Sequence, residues 1–170
     1  MADDQIRDPV EADLEAFSEL ISSRDDVTPS MLRTHLATEN LLERILVASL
    51  PGGHGLIENG NLTYAQKLEV VNALKITESS LIGSLRQLNK VRNAASHSKE
   101  GAITRAEIEK IGMPLGPRFI EIRQKHASNY ENFALTTLAT VFARTLNIVH
   151  VSEQKASKSG GLGFSVEGET

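Results

Sequence analysis

Cysteine and tryptophan are absent from this 170-residue chain. The lack of cysteine removes disulfides, thiolate nucleophiles and zinc-thiolate centres from consideration, a usage that fits a reducing interior. Aromatic residues are scarce, with five Phe and two Tyr. That disfavours a general single-strand binder that stacks bases on aromatic side chains. No run approaches the ~20 apolar residues of a membrane span. The acidic, polar start Met1-Ala2-Asp3-Asp4 lacks the character of a signal peptide. The expectation is a cytoplasmic protein with no membrane partner. A net charge of −4 argues against non-specific nucleic-acid binding over the whole surface, so any RNA contact has to be local.

What is present points to packed helices. Hydrophobic residues make up 40% of the chain, and Leu, Ile, Val and Ala carry the core. The length suits one domain, expected over residues 1–156 with a flexible tail at 157–170, where Ser-Lys-Ser-Gly-Gly-Leu-Gly has a linker composition. There is no internal repeat and no alternating pattern of a strand. The periodicity predicts a first helix over 12–21, with Leu14, Phe17, Leu20 and Ile21 on one face. A second should run from about Ser30 to Leu50, started by Thr28-Pro29 and stopped by Pro51-Gly52-Gly53. Its core stripe is Met31, Thr34, Thr38, Leu41, Leu42, Ile45 and Ala48. A Gly-rich link to Gly60 carries His54 as a loop residue. Thr63, with Gln66 in a capping box, opens a third helix, and Glu78-Ser79-Ser80 leads into a fourth that ends near His97. Thr104 to Ile111 is expected to be a short helix closed by Gly112, Pro114, Gly116 and Pro117. One long helix should then run from Phe119 to about Val151.

The fourth helix carries the chemistry. At about 100° per residue, Leu81, Leu85, Leu88 and Ala95 share a stripe, and Arg92 falls in the middle of it. An arginine aimed at a core or a partner calls for a counter-charge or a function, and Glu39 and Glu43 are the candidate counter-charges. The opposite stripe is polar: Arg86, Lys90, Asn93 and His97. Arg92 and His97 point roughly 140° apart in an ideal helix. They share a site only if the helix frays after Ser96, if the Arg curls round, or if a second copy packs across a two-fold axis. The plainer alternative is a cationic His at a helix C-terminus beside an Arg paired with a neighbouring carboxylate. His35, Glu39 and Glu43 lie four residues apart on one face, yet no second cluster completes a coordination sphere, so neither a metal nor a cofactor is expected. His126 is expected to be a satisfied, half-buried core residue, and His150 to sit at a helix end.

Three segments, Glu39-Asn40-Leu41-Leu42-Glu43-Arg44-Ile45-Leu46, Leu62-Thr63-Tyr64-Ala65-Gln66-Lys67-Leu68 and Leu88-Asn89-Lys90-Val91-Arg92-Asn93-Ala94-Ala95-Ser96-His97, together resemble the HEPN superfamily of all-α domains. Its motif is Arg, four to six residues, then His, with a polar residue after the Arg; Arg92-Asn93 and His97 match at the four-residue spacing. The resemblance implies an all-α, HEPN-like bundle that dimerises so that two motifs line one cleft. It implies a metal-independent endoribonuclease of toxin, anti-phage or RNA-processing type, with RNA as substrate and a cognate antitoxin or regulatory protein as a possible partner. In that reading His97 is the acid/base, Arg92 stabilises charge on the phosphoryl oxygens, Asn93 orients or binds phosphate, and Arg86 and Lys90 guide the RNA backbone. The alternative it implies is a non-catalytic dimeric regulatory or protein-interaction module, as in mannitol-repressor-like relatives.

Overall fold

The computed structural model describes residues 9–22, 26–97 and 102–160, excepting the side chains of residues 9, 10, 20–22, 97 and 160. Among them it is an all-α bundle: α1 Pro9–Ser22, α2 Val27–Ser49, α3 Gly53–Gly60, α4 Tyr64–Ala73, α5 Ser79–His97, α6 Arg105–Gly112, α7 Pro117–Lys125 and α8 Tyr130–Gly160, with a 3₁₀ turn at Met113–Leu115 between α6 and α7. The long helices α2 and α8 form the spine. They run in the same direction. Near their starts the Ile103 N–H donates to Thr28 Oγ1 and the Tyr130 hydroxyl donates to the Ile103 carbonyl, while further along both helices Arg44 grips Glu153.

Burial on α8 recurs at three- and four-residue steps, through Phe133, Ala134, Thr137, Leu138, Val141, Phe142, Thr145, Leu146 and Val149. The threonines fit this stripe because Thr137 donates to the Phe133 carbonyl and Thr145 to the Val141 carbonyl, each at 2.8 Å, so neither hydroxyl is buried unbonded. Tyr130–Ser159 is long enough, and over an 18-residue window apolar enough, with a mean hydropathy of 1.3, to pass for a membrane span by length and composition alone. The expectation that no stretch does so is therefore corrected. Its apolar stripe faces α2, α6, α7 and α1.

Four expectations about boundaries are also corrected. α2 begins at Val27, so Thr28 is not its cap; its hydroxyl instead receives the Ile103 N–H at 2.9 Å. The Gly-rich link is itself the helix α3. Leu50 ends α2, Gly52 takes a φ of +77° that favours glycine, and Gly53 lies so close to α2 that a Cβ there would sit 2.5 Å from the Leu46 carbonyl oxygen. The single helix expected over 119–151 is two helices. His126 closes α7, and the Asn129 side chain accepts the Asn132 N–H at 2.8 Å, the bond of a helix N-cap. The apolar period survives the break because both helices turn the same face to the core; Phe119 of α7 meets Phe133 of α8 with ring centroids 5.7 Å apart. Finally, α8 continues to Gly160, past the helix end expected near Val151, and residues 161–170 of the expected tail lie outside the described residues.

The N-cap at Thr63 stands where the sequence places it, in a complete capping box with Gln66, and the structure adds a second box, Thr104 with Glu107, at the start of α6. In α1 Phe17 is buried and stacks on Phe142 at 3.7 Å, whereas Leu14 stays 39% exposed; the side chains of Leu20 and Ile21 lie outside the description.

Gly112 packs against the buried Phe119 ring so closely that a Cβ would fall 2.2 Å from two ring carbons. Gly112→Ala therefore sets a gain in helix propensity of up to about 1 kcal/mol against overpacking that costs about 1–3 kcal/mol. Overpacking should win: the denaturant midpoint should fall with the slope unchanged. An unchanged midpoint would show that the Phe119 ring can swing aside.

Candidate functional site

Helix α5 packs Leu81, Ile82, Leu85, Leu88 and Val91 into the core, with Ala95 half-buried against it. Its Asn89, Arg92 and Asn93, at spacings of three and one, come to the edge of that buried stripe. There they meet α2 and the start of α4 across a groove of about 450 Å³ lined by His35, Glu39, Thr63, Tyr64, Ala65, Asn89, Arg92 and Asn93.

Arg92 is half-buried on the wall of this groove. Its Nη1 donates to Asn93 Oδ1 at 3.2 Å, and it holds no carboxylate among the described residues. The two expected counter-charges are taken. Lys67 of α4 is 7% exposed and its Nζ donates to Glu39 at 2.8 Å and to Glu43 at 2.6 Å. Burial by itself lowers the Lys67 pKa, but the hydrogen bonds to the two carboxylates outweigh it and leave the ammonium held above its ordinary value. Asn93 is exposed. His97 is the last residue of α5, and its side chain lies outside the described residues.

Arg86 and Lys90 do not line the groove. Arg86 forms a bidentate pair with Glu69 of α4, both contacts at 2.8 Å, and the hydrogen bond to Glu69 raises its pKa. Lys90 is exposed on the surface of α5.

Six of the lining residues lie outside the Arg-His motif, among them His35, Tyr64 and Asn89. His35 is 4% exposed, and its ring stacks on Tyr64 with centroids 4.2 Å apart and planes inclined by 23°. Its Nε2 lies 3.0 Å from Asn89 Oδ1. Because a carbonyl oxygen only accepts, Nε2 carries the proton and donates. Nδ1 is buried with no protein partner, as suits the unprotonated nitrogen of a neutral imidazole. The Tyr64 hydroxyl, 3.1 Å from Thr38 Oγ1, has its pKa raised by burial, and Thr38 in turn donates to the His35 carbonyl at 2.9 Å. A signal for His35 is present in the sequence: it lies four residues after Met31, three before Thr38 and seven before Leu42, which is the core spacing of α2 rather than that of a solvated ladder. Asn89 likewise precedes Arg92 and Asn93 by three and four residues.

Among the described residues no group of three His, Asp or Glu side chains is placed to hold a metal ion. His126 closes α7 with its Nε2 3.3 Å from Thr136 Oγ1. His54 is exposed on α3. His150 lies 3.5 Å from Asp13, which also holds Arg44. Comparison with protein-family models, with curated proteins and with solved structures gives no match, so the site is read from its own geometry.

Burial is the largest cause lowering the His35 pKa below its ordinary 6.5, reinforced by the Arg92 charge; the Asn89 bond and the Glu39 charge oppose them without cancelling them. The unfolded chain therefore binds a proton at His35 before the folded protein does. The resulting stability is fully present above pH about 6.5 and is lost as pH falls from there through the lower folded value, at up to about 1.4 kcal/mol per pH unit. Denaturant titrations between pH 7.5 and about pH 5 should show this loss, and His35→Gln should flatten it. An equal slope in the variant would mean that carboxylates elsewhere dominate.

Proposed function

We propose that this chain is a HEPN-like endoribonuclease that cleaves RNA through Arg92, Asn93 and His97, acting as a cytoplasmic homodimer. The observation that carries the reading is a half-buried guanidinium, that of Arg92, with no carboxylate among the described residues. Arg44, Arg86, Arg105, Arg118 and Arg144 each hold a carboxylate, while Arg92 faces an open groove with amide side chains on either side of it in sequence and no acid of its own among the described residues. A half-buried guanidinium left without a counter-charge is disposed to take an anion bidentately, and a phosphodiester fits that geometry.

The chemistry then follows from residue types. RNA supplies its own nucleophile in the 2′-hydroxyl. Its attack on phosphorus breaks the bond to the 5′-oxygen, leaving a 2′,3′-cyclic phosphate and a 5′-hydroxyl. A proton leaves the 2′-oxygen and one reaches the departing 5′-oxygen, steps that an imidazole at His97 can serve near neutral pH. Arg92 balances the charge that builds on the non-bridging oxygens. Two copies related by a two-fold axis would bring one Arg92 beside the other copy's His97, which one ideal helix holds well apart.

The second reading is a non-catalytic dimeric interaction module. What favours it is Glu39, which lines the same groove as Arg92 and with Glu43 and Lys67 forms a triad of net charge −1.

Purified protein should cleave RNA in excess chelator and spare DNA, which has no 2′-hydroxyl. His97→Ala should abolish turnover. Arg92→Ala should slow it by about 10²–10³-fold, the scale of a lost oxyanion contact. Equal residual cleavage by wild type and both variants would identify a contaminant, and no cleavage by the wild type across structured and single-stranded RNAs would favour the interaction module.

A further inference from the structure

The amide of Asn89 has two ends, and His35 occupies one of them. With Oδ1 accepting the His35 Nε2–H at 3.0 Å, the planar group flips only if the imidazole proton moves to Nδ1, where it would be a buried donor with no partner among the described residues. Its Nδ2 is left as a donor with no partner among the described residues, on a residue that lines the groove one helical turn before Arg92. His35 is itself immobilised, being buried, stacked on Tyr64 and tied through its carbonyl to Thr38. Among the described residues one carboxylate lines the groove, that of Glu39, and it is engaged by Lys67.

We infer that His35 is a positioning residue: it holds the Asn89 amide by its oxygen so that Asn89 Nδ2 and the Arg92 guanidinium together form an oxyanion-binding notch for the phosphate of an RNA strand or a nucleotide. The inference deepens the reading of the groove as a phosphate site and rests on it. Asn93 is less fixed than Asn89 as a donor for this notch, because its side chain is exposed. A neutral His35 suits the arrangement, since its single proton is the one the amide oxygen needs.

The experiment is a nuclear magnetic resonance titration of the full chain, following the Asn89 side-chain amide and the Arg92 Nε–H. The probes are inorganic phosphate, a 5′-mononucleotide and a 2′-O-methyl oligoribonucleotide, whose phosphodiesters cannot be attacked by a 2′-hydroxyl. Both reporters should shift together with at least one probe. A response to the oligonucleotide marks the site as one for a strand, and a response to the mononucleotide alone marks it as one for a phosphomonoester. His35→Gln, whose amide nitrogen takes the place of Nε2, should keep the Asn89 response. His35→Phe, which keeps the aromatic stack but donates nothing, should lose it and bind about tenfold more weakly, the scale of one charge-assisted hydrogen bond. Should His35→Phe fail to fold, Asn89→Asp serves instead: its carboxylate still accepts from His35 but cannot donate, so binding should be lost while the thermal transition is kept. The inference is overturned if Arg92 responds while Asn89 stays silent, if neither responds to any probe at millimolar concentration, or if a folded His35→Phe or Asn89→Asp binds as tightly as the wild type. Anion binding at the notch without cleavage of any RNA would remove the nuclease reading and leave the notch in place.

Discussion

Helix α2 is buried on two sides, and much of the structure follows from that constraint. One side meets α8 and the other meets α4 and α5. Its interior-facing residues therefore extend beyond the usual apolar stripe to Ser30, Thr34, His35 and Thr38. Polar groups in such a position are stabilised by bonds within the protein, and of these four side chains only the Ser30 hydroxyl makes no bond among the described residues. Thr34 bonds locally, on the Ser30 carbonyl at 2.8 Å. His35 and Thr38 reach across to Asn89 of α5 and Tyr64 of α4, so the bonds that make burial of α2 tolerable also fix the relative placement of the three helices around the groove.

Charge is distributed by the same logic. Lys67 is buried, and it is tolerable there because two carboxylates of α2 share it. Arg44 spans Asp13 and Glu153, tying α1, α2 and α8 together at their half-exposed edges; contacts this exposed add little stability but orient the elements they join. Once these pairs are made, Glu39 and Glu43 are engaged and Arg92 holds no carboxylate among the described residues; that position at a groove, rather than the mere presence of an arginine, singles it out.

The break between α7 and α8 shows why a periodic pattern overreaches. Phe119, Ile122, Phe133 and Leu138 are all buried, and their spacing is helical throughout. Yet the chain leaves the helix at His126 and restarts under the Asn129 cap. Hydrophobic period reports which face is buried, whereas continuity is decided by local capping bonds. The Gly-rich α3 makes the converse point, because glycine lowers helix propensity but is required where Gly53 touches the backbone of α2.

By itself the sequence determined the all-α class, the cap at Thr63 and most of the core stripes of α2 and α5, whereas Arg92, expected in the middle of the α5 stripe, stands at its edge because Val91 takes the buried position. The class, the cap and the stripes are short-range properties, carried by residues within a few positions of one another. Only the tertiary structure decided that Glu39 and Glu43 belong to Lys67, that Arg86 belongs to Glu69, and that His35 stands with Asn89 beside Arg92. Each of those pairings joins helices 17 to 54 residues apart in the chain. Several acids are within reach of several bases in any sequence of this composition. Which of them meet is settled by how helices pack and by which buried groups must be satisfied first.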